Sequence, residues 1–105
     1  MRLVILETPY AGDVETNLKF ARECVRDCLM RDEAPIASHL LYTQPGILND
    51  NIQNERKLGI NAGHAWIEVA DAMVVYEDFG ISAGMYQGIA KARAAALFVE
   101  LRRLR

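Results

Sequence analysis

Short apolar segments alternate with stretches of helical periodicity along the chain, and this alternation constrains the fold more than any other feature. The clearest apolar segment is Ala72–Tyr76, which contains no charged residue and is typical of a strand covered on both faces. Shorter β-prone runs occupy Leu3–Leu6, Ala34–Ser38 and Leu97–Leu101. Strands that alternate with helices in this way favour a mainly parallel sheet with right-handed crossovers.

Three helices are predicted from apolar residues that recur at steps of three and four. They span about 14–31, 53–70 and 82–95, with Asp13 and Ser82 as the N-caps of the first and last. The order β-α-β-α-β-α-β predicts an α/β fold, a three-layer α/β/α domain with a small, mainly parallel sheet of about four strands, Rossmann/flavodoxin-like in type.

The composition is that of an ordinary globular protein, with 51% hydrophobic and 25% charged residues. A length of 105 residues predicts a single domain over 1–105. The 12 basic and 14 acidic residues give a net charge of −2, which disfavours a nucleic-acid polymer as partner. No apolar run is long enough for a membrane span, and Glu7 comes too early for a signal peptide. We therefore expect a cytoplasmic protein.

Ligands of parallel sheets bind beyond the carboxyl ends of the strands, so the site is expected in three loops, Glu7–Asp13, Ser38–Asn51 and Glu77–Ser82. Glu7, Glu77 and Asp78 all fall at strand ends. They can converge as a set of carboxylates for glycosidic or general acid–base chemistry. The alternative is that they are solvated loop carboxylates.

The run from Gly80 to Gly84 opens a helix after a buried strand, and its backbone N–H groups, with the Ser82 hydroxyl, can hold a phosphate. The alternative is a Ser-capped helix whose glycines pack against the sheet. Tyr10 and Gly12 form a second candidate contact, in which Tyr10 stacks on a base or donates its hydroxyl, or else covers the sheet edge.

The two histidines, His39 and His64, have no Cys or carboxylate nearby at metal-ligand spacing. We therefore expect no metal and no cofactor. His39 follows a predicted strand end, where it can contact a ligand phosphate or act as a base.

Three strings carry a family resemblance: PYAGD at Pro9–Asp13 followed by Asn17, ASHLLYTQPG at Ala37–Gly46, and DFGISAGM at Asp78–Met85. With them the chain resembles the nucleoside 2-deoxyribosyltransferase-like superfamily, in particular its small uncharacterised, phage-type members. The resemblance implies a nucleoside or nucleotide ligand, attack on its N-glycosidic bond by a Glu on the helix of the third string, and an active site completed by a neighbouring subunit.

The chain departs from that family at the catalytic position. Its sequence Gly84-Met85-Tyr86-Gln87-Gly88 places Tyr86 where the nucleophilic Glu stands. A carboxylate is the usual partner of an oxocarbenium-like centre, so the alternative is that Glu7 or Glu77 takes this role from another loop. The candidate catalytic residues are Glu7, Glu77, Asp78 and Tyr86. The candidate substrate-binding residues are Thr8, Pro9, Tyr10, Gly12, Ser38, His39, Gly80, Ile81, Ser82, Gly84 and Met85.

The leading prediction is a protein that binds a nucleotide or nucleotide-derived small molecule at the carboxyl ends of its strands and cleaves or transfers the N-glycosidic bond. Two alternatives stay open: a non-catalytic binder or sensor of such a ligand, and a homo-oligomeric assembly protein, since a domain of this size gains from burying further surface.

Overall fold

The computed structural model describes all 105 residues. Its strands are β1 (Arg2–Glu7), β2 (Glu33–Ile36), β3 (Ala72–Tyr76) and β4 (Val99–Arg102). Its helices are α1 (Val14–Met30), α2 (Ser38–Leu41), α3 (Gln53–Ala65) and α4 (Ala83–Ala94), and a single 3₁₀ turn (Trp66–Glu68) follows α3.

The four strands form one parallel sheet in the order β2-β1-β3-β4. This is the order of the first four strands in flavodoxin-type sheets, in which the chain reverses direction across the sheet between β1 and β3. Pro35 lies in β2, an edge strand, where a missing N–H is tolerated. The predicted α/β fold with three layers is therefore confirmed.

The sheet is covered on both faces because residues of β1 and β3 alternate between them. Val4, Leu6, Val74 and Tyr76 pack against α1. The intervening residues Ile5, Met73 and Val75 pack against α4 on the other face. Every residue of β3 is buried, which explains why this strand is the most apolar segment of the sequence.

Both predicted N-caps are present. Asp13 Oδ1 accepts a hydrogen bond from the Thr16 N–H at 3.2 Å, and Ser82 Oγ accepts one from the Met85 N–H at 3.3 Å. These bonds satisfy N–H groups that have no partner within the helix.

Most element boundaries lie within two residues of the prediction, and two places differ more. The second predicted helix ends at Ala65 and tightens into the 3₁₀ turn, a common way for a helix to finish. The expected irregular stretch after β2 contains the short helix α2, whose four residues are too few for a periodic signal. No helix in the chain combines the length and the apolar character that crossing a bilayer requires.

A buried ion pair ties β2 to β4 under α1. Arg102 donates two hydrogen bonds to the Glu33 carboxylate, at 2.8 and 2.6 Å. Arg102 also donates to the Tyr76 hydroxyl at 3.2 Å, and that hydroxyl donates to Asp27 Oδ2 at 2.6 Å. Because every member has a partner, the two charges are compensated in the interior.

Candidate functional site

A cavity of about 280 Å³ opens at the carboxyl end of the sheet on the face that α4 covers. Its walls come from four parts of the chain: the end of β1 with its following loop, the segment around α2, one side of α3, and the first turns of α4. The cavity therefore lies where the topology of a flavodoxin-type sheet places a ligand site, beside the point at which the strand order reverses.

Glu7 is the last residue of β1, and the alternation of the strand points its side chain to the α4 face with Ile5. There it lies against Gly88 of α4, where a Cβ would stand 2.8 Å from Glu7 Oε1. Glycine at this position therefore leaves room for the carboxyl group beside the helix.

The Glu7 carboxyl has no partner within the protein. Burial raises its pKa to about 8, and no hydrogen bond or nearby charge counteracts this effect. Every side-chain oxygen or nitrogen that is inaccessible to solvent has a hydrogen-bond partner. The Glu7 oxygens have no partner, so they must be accessible, and Glu7 lines the cavity. At neutral pH the group is a protonated acid that can donate to a ligand.

Thr8 and His39 form a polar pair on the same wall. Thr8 is 4% exposed, and its Oγ1 lies 2.5 Å from His39 Nε2, joining the end of β1 to α2. Burial lowers the pKa of His39 to about 4, so its imidazole ring is neutral at physiological pH. One ring nitrogen then carries a proton and the other a lone pair.

The first turn of α4 contributes Ser82, Ala83 and Gly84 to the cavity wall. The N–H groups at the start of a helix lack partners within it and favour an anion or a hydroxyl oxygen. A Cβ built on Gly84 would meet no atom within 4 Å. A ligand can therefore approach the backbone closely at this turn.

One side of α3 forms the opposite wall and carries the charge of the site. Glu55, Arg56 and His64 line the cavity from this helix, and Asp50 lines it from the preceding loop. Arg56 is the one Arg or Lys among the lining residues. No group of three or more His, Cys, Asp or Glu side chains is placed to hold a metal ion.

A comparison with protein-family models identifies one match, a domain of unknown function that covers residues 2–102. The chain belongs to the DUF7768 family. A search of curated proteins finds no match. The DUF7768 model spans every strand and helix of the domain, so all walls of the cavity lie within the matched region.

The cavity brings together eight of the residues that the sequence singled out. These are Glu7, Thr8, Tyr10, Ser38, His39, Ser82, Gly84 and Met85. They come from three separate segments of this DUF7768 domain. Their convergence follows from the parallel sheet, since the carboxyl ends of β1 and β2 and the start of α4 meet at one edge.

The other candidates do not line the cavity. Asp78 accepts hydrogen bonds from the N–H groups of Leu104 and Arg105. These bonds outweigh the effect of burial and lower its pKa, so the carboxylate fastens the C-terminal tail. Glu77 lies 3.7 Å from Arg103, and Tyr86 is 61% exposed. Pro9, Gly12, Gly80 and Ile81 are likewise absent from the lining.

Sequence reasoning missed the wall formed by α3. The lining residues of this helix recur at steps of one and three, a stripe along one side of the helix. They are Glu55, Arg56, Gly59, Ile60, Gly63 and His64. Gly59 and Gly63, four residues apart, are the sequence feature that marks this side of α3 as one that packs closely. In the structure a Cβ on Gly63 would lie 2.6 Å from Ser38 Oγ. Tyr42 and Asp50 lie in the predicted site loop Ser38–Asn51 but were not singled out within it, and Gln87 carries no pattern that would identify it.

Proposed function

We propose that this DUF7768 domain binds a nucleoside or a nucleotide-derived small molecule in the cavity and cleaves or transfers its N-glycosidic bond, with Glu7 donating the proton that the departing base needs. The observation that carries the proposal is the Glu7 carboxyl, unpartnered and open to the cavity, with a pKa raised to about 8.

The chemistry of this bond calls for such a group. Cleavage leaves an oxocarbenium-like sugar and a base that departs more readily once protonated, and a positioned acid contributes roughly 10²–10⁴-fold to such a step. A carboxyl with a pKa near 8 still holds its proton at pH 7. Once it has donated that proton, the resulting carboxylate stabilises the positive sugar ring.

The dimensions of the cavity support a small ligand. Its volume of about 280 Å³ is just below the roughly 300–1,000 Å³ common for small-molecule pockets. Tyr10 and Tyr42 provide aromatic surfaces for a base, and the first turn of α4 with Arg56 provides contacts for a phosphate or sugar hydroxyls.

A second candidate function is non-catalytic binding or sensing of the same class of ligand. The exposure of Tyr86 favours it. The resemblance places the nucleophilic Glu of the transferases at this position, and here the side chain is a phenol that lies outside the cavity lining.

The two functions are separated by one experiment with purified protein. Thermal unfolding is followed against a panel of nucleosides, nucleotides and sugar phosphates, and each mixture is chromatographed for released base. Ligand at 100 times its Kd stabilises by about 2.7 kcal/mol, a shift of several degrees for a domain of this size.

Wild type and Glu7→Gln are compared, with Glu68→Gln as the matched control because Glu68 is an exposed glutamate outside the cavity. Free base from wild type and the control, with a shift but no base from Glu7→Gln, supports the proposal. A shift without base from wild type supports the sensor. No shift anywhere in the panel overturns nucleotide binding.

The expected homo-oligomer and cytoplasmic location remain part of the proposal. What supports association is the outer side of α3 and its 3₁₀ turn, where Leu58, Trp66 and Val69 are exposed. Apolar side chains grouped in this way are typical of surfaces that a second chain covers.

A further inference from the structure

The pair formed by Thr8 and His39 has no part in the chemistry assigned to Glu7, yet both residues line the same cavity. A plain structural tie between β1 and α2 is one explanation of the contact. The second ring nitrogen of His39, however, points to a chemical role for this pair. His39 makes one side-chain hydrogen bond, through Nε2 to Thr8, so Nδ1 has no partner in the protein.

The free nitrogen is open to water. Every side-chain nitrogen or oxygen that is inaccessible to solvent has a hydrogen-bond partner. His39 Nδ1 has none, so it must be accessible to solvent. The Thr8 hydroxyl can accept from Nε2–H or donate to Nε2; in the tautomer that donates Nε2–H to Thr8 Oγ1, the lone pair lies on Nδ1. A base whose tautomer is set by a hydrogen bond to its other nitrogen is a common catalytic arrangement.

We propose that His39 is the general base of this site and that Thr8 is the residue that positions it, so that the domain is a hydrolase in which His39 activates the attacking water. This inference rests on the proposed function, since it supplies the second half of the cleavage that Glu7 begins.

The step balances as follows. As the C1′–N bond breaks, its electron pair goes to the base, which takes the proton of Glu7. Water oxygen bonds to C1′, and one water proton passes to His39 Nδ1. The products are the free base and the sugar, with Glu7 ionised and His39 protonated. Proton exchange with solvent then restores both groups.

Burial acts in opposite directions on the two groups and suits these roles. It raises the pKa of Glu7 to about 8 and lowers that of His39 to about 4, so between these limits the acid is protonated and the base is neutral. Groups whose pKa values are pushed apart in one site mark an acid and a base. The other titratable or charged groups on the cavity wall are Tyr10, Tyr42, Asp50, Glu55, Arg56 and His64.

The test uses adenosine and 2′-deoxyadenosine together with 4-nitrophenyl β-D-ribofuranoside, whose leaving group needs no proton. Glu7→Gln is expected to lose base release from both nucleosides and to retain cleavage of the nitrophenyl riboside. His39→Gln is expected to lose roughly 10²-fold or more in kcat/KM on every substrate that wild type cleaves. The pH profile of the wild type should fall below about pH 4 and above about pH 8.

Thr8→Val and Thr8→Ser test the positioning role and also cover the case in which His39→Gln does not fold. Thr8→Val should lower kcat/KM and Thr8→Ser should restore it, with urea midpoints recorded for both. If His39→Gln or Thr8→Val folds and keeps the wild-type rate and pH profile, the base assignment is overturned while the role of Glu7 stands. If wild type cleaves none of the three substrates, the proposed function fails, and this inference with it.

Discussion

Replacing Glu7 with Gln should make the protein more stable at neutral and alkaline pH, a result opposite to the usual effect of changing a partly buried side chain. The amide keeps the shape of the carboxyl group but cannot ionise. In the wild type the folded state raises the pKa of Glu7 from 4.5 to about 8, so the folded protein holds a proton that the unfolded chain releases.

The sign of the effect follows from proton linkage. Between pH 4.5 and 8 the folded state binds more protons at this residue than the unfolded state does, so stability falls as the pH rises through this window. The contribution of protonated Glu7 is complete below pH 4.5 and lost above pH 8. The full change corresponds to about 5 kcal/mol, of which about 2 kcal/mol falls between pH 6.5 and 9.

The assay is urea unfolding of wild type and Glu7→Gln at pH 5, 6.5, 8 and 9. His39 acts in the opposite direction at lower pH, because its lowered pKa removes stability as the pH falls from 6.5 towards 4. Subtracting the two curves cancels this effect, since both proteins carry His39.

The difference between Glu7→Gln and wild type should widen from pH 5 to 8 in favour of the variant and level off by pH 9. Glu68→Gln, at an exposed position, should follow the wild-type curve throughout. Parallel curves for wild type and Glu7→Gln would show that the folded state does not raise the pKa of Glu7, and the proton-donor argument would then be refuted.

Three further predictions concern packing and association. Arg102→Met leaves the buried Glu33 carboxylate with only the half-exposed Arg2 guanidinium, 3.9 Å away, and should cost about 3 kcal/mol in urea unfolding; a much smaller loss would mean that Arg2 or water takes the place of Arg102. In Gly88→Ala the Cβ would stand 2.8 Å from Glu7 Oε1, so the Glu7 carboxyl must shift and the variant should be less stable by about 1 kcal/mol than Gly84→Ala, whose Cβ has open space around it. Trp66→Ser should shift sedimentation towards the monomer; an unchanged sedimentation coefficient would remove α3 as the interface.

The strands were predictable because their signals are local. Ala72–Tyr76 was located at its observed bounds, since a strand buried on both faces must be apolar at every position. Both helix caps were predictable for the same reason: Asp13 and Ser82 each bond an N–H only three residues away. The four-residue helix α2 has no periodicity to detect, and it packs against α3 and α1, which are distant from it in sequence.

Site residues were predictable from the sequence only at the carboxyl ends of strands, where the topology of the sheet determines where a side chain lies. Any side chain at the carboxyl end of β1 had to lie near the cavity edge, and Glu7 does. The same rule was too coarse for Glu77 and Asp78, because it does not say on which face a loop continues. Both carboxylates turn to the C-terminal tail, where Arg103 and the backbone of Leu104 hold them.

The resemblance and the structure suggest different sources for the carboxyl group at this site, and the geometry around α4 connects them. The transferases carry their Glu on this helix, at the position of Tyr86. In this chain Glu7 reaches the same helix from the strand side and lies against Gly88, two residues further along, so close that a side chain at 88 would require the Glu7 carboxyl to move. A carboxyl group therefore borders the first turns of α4, although it comes from β1. Under the proposed function, this carboxyl of raised pKa is a proton donor rather than a nucleophile, which favours direct attack by water over a covalent intermediate.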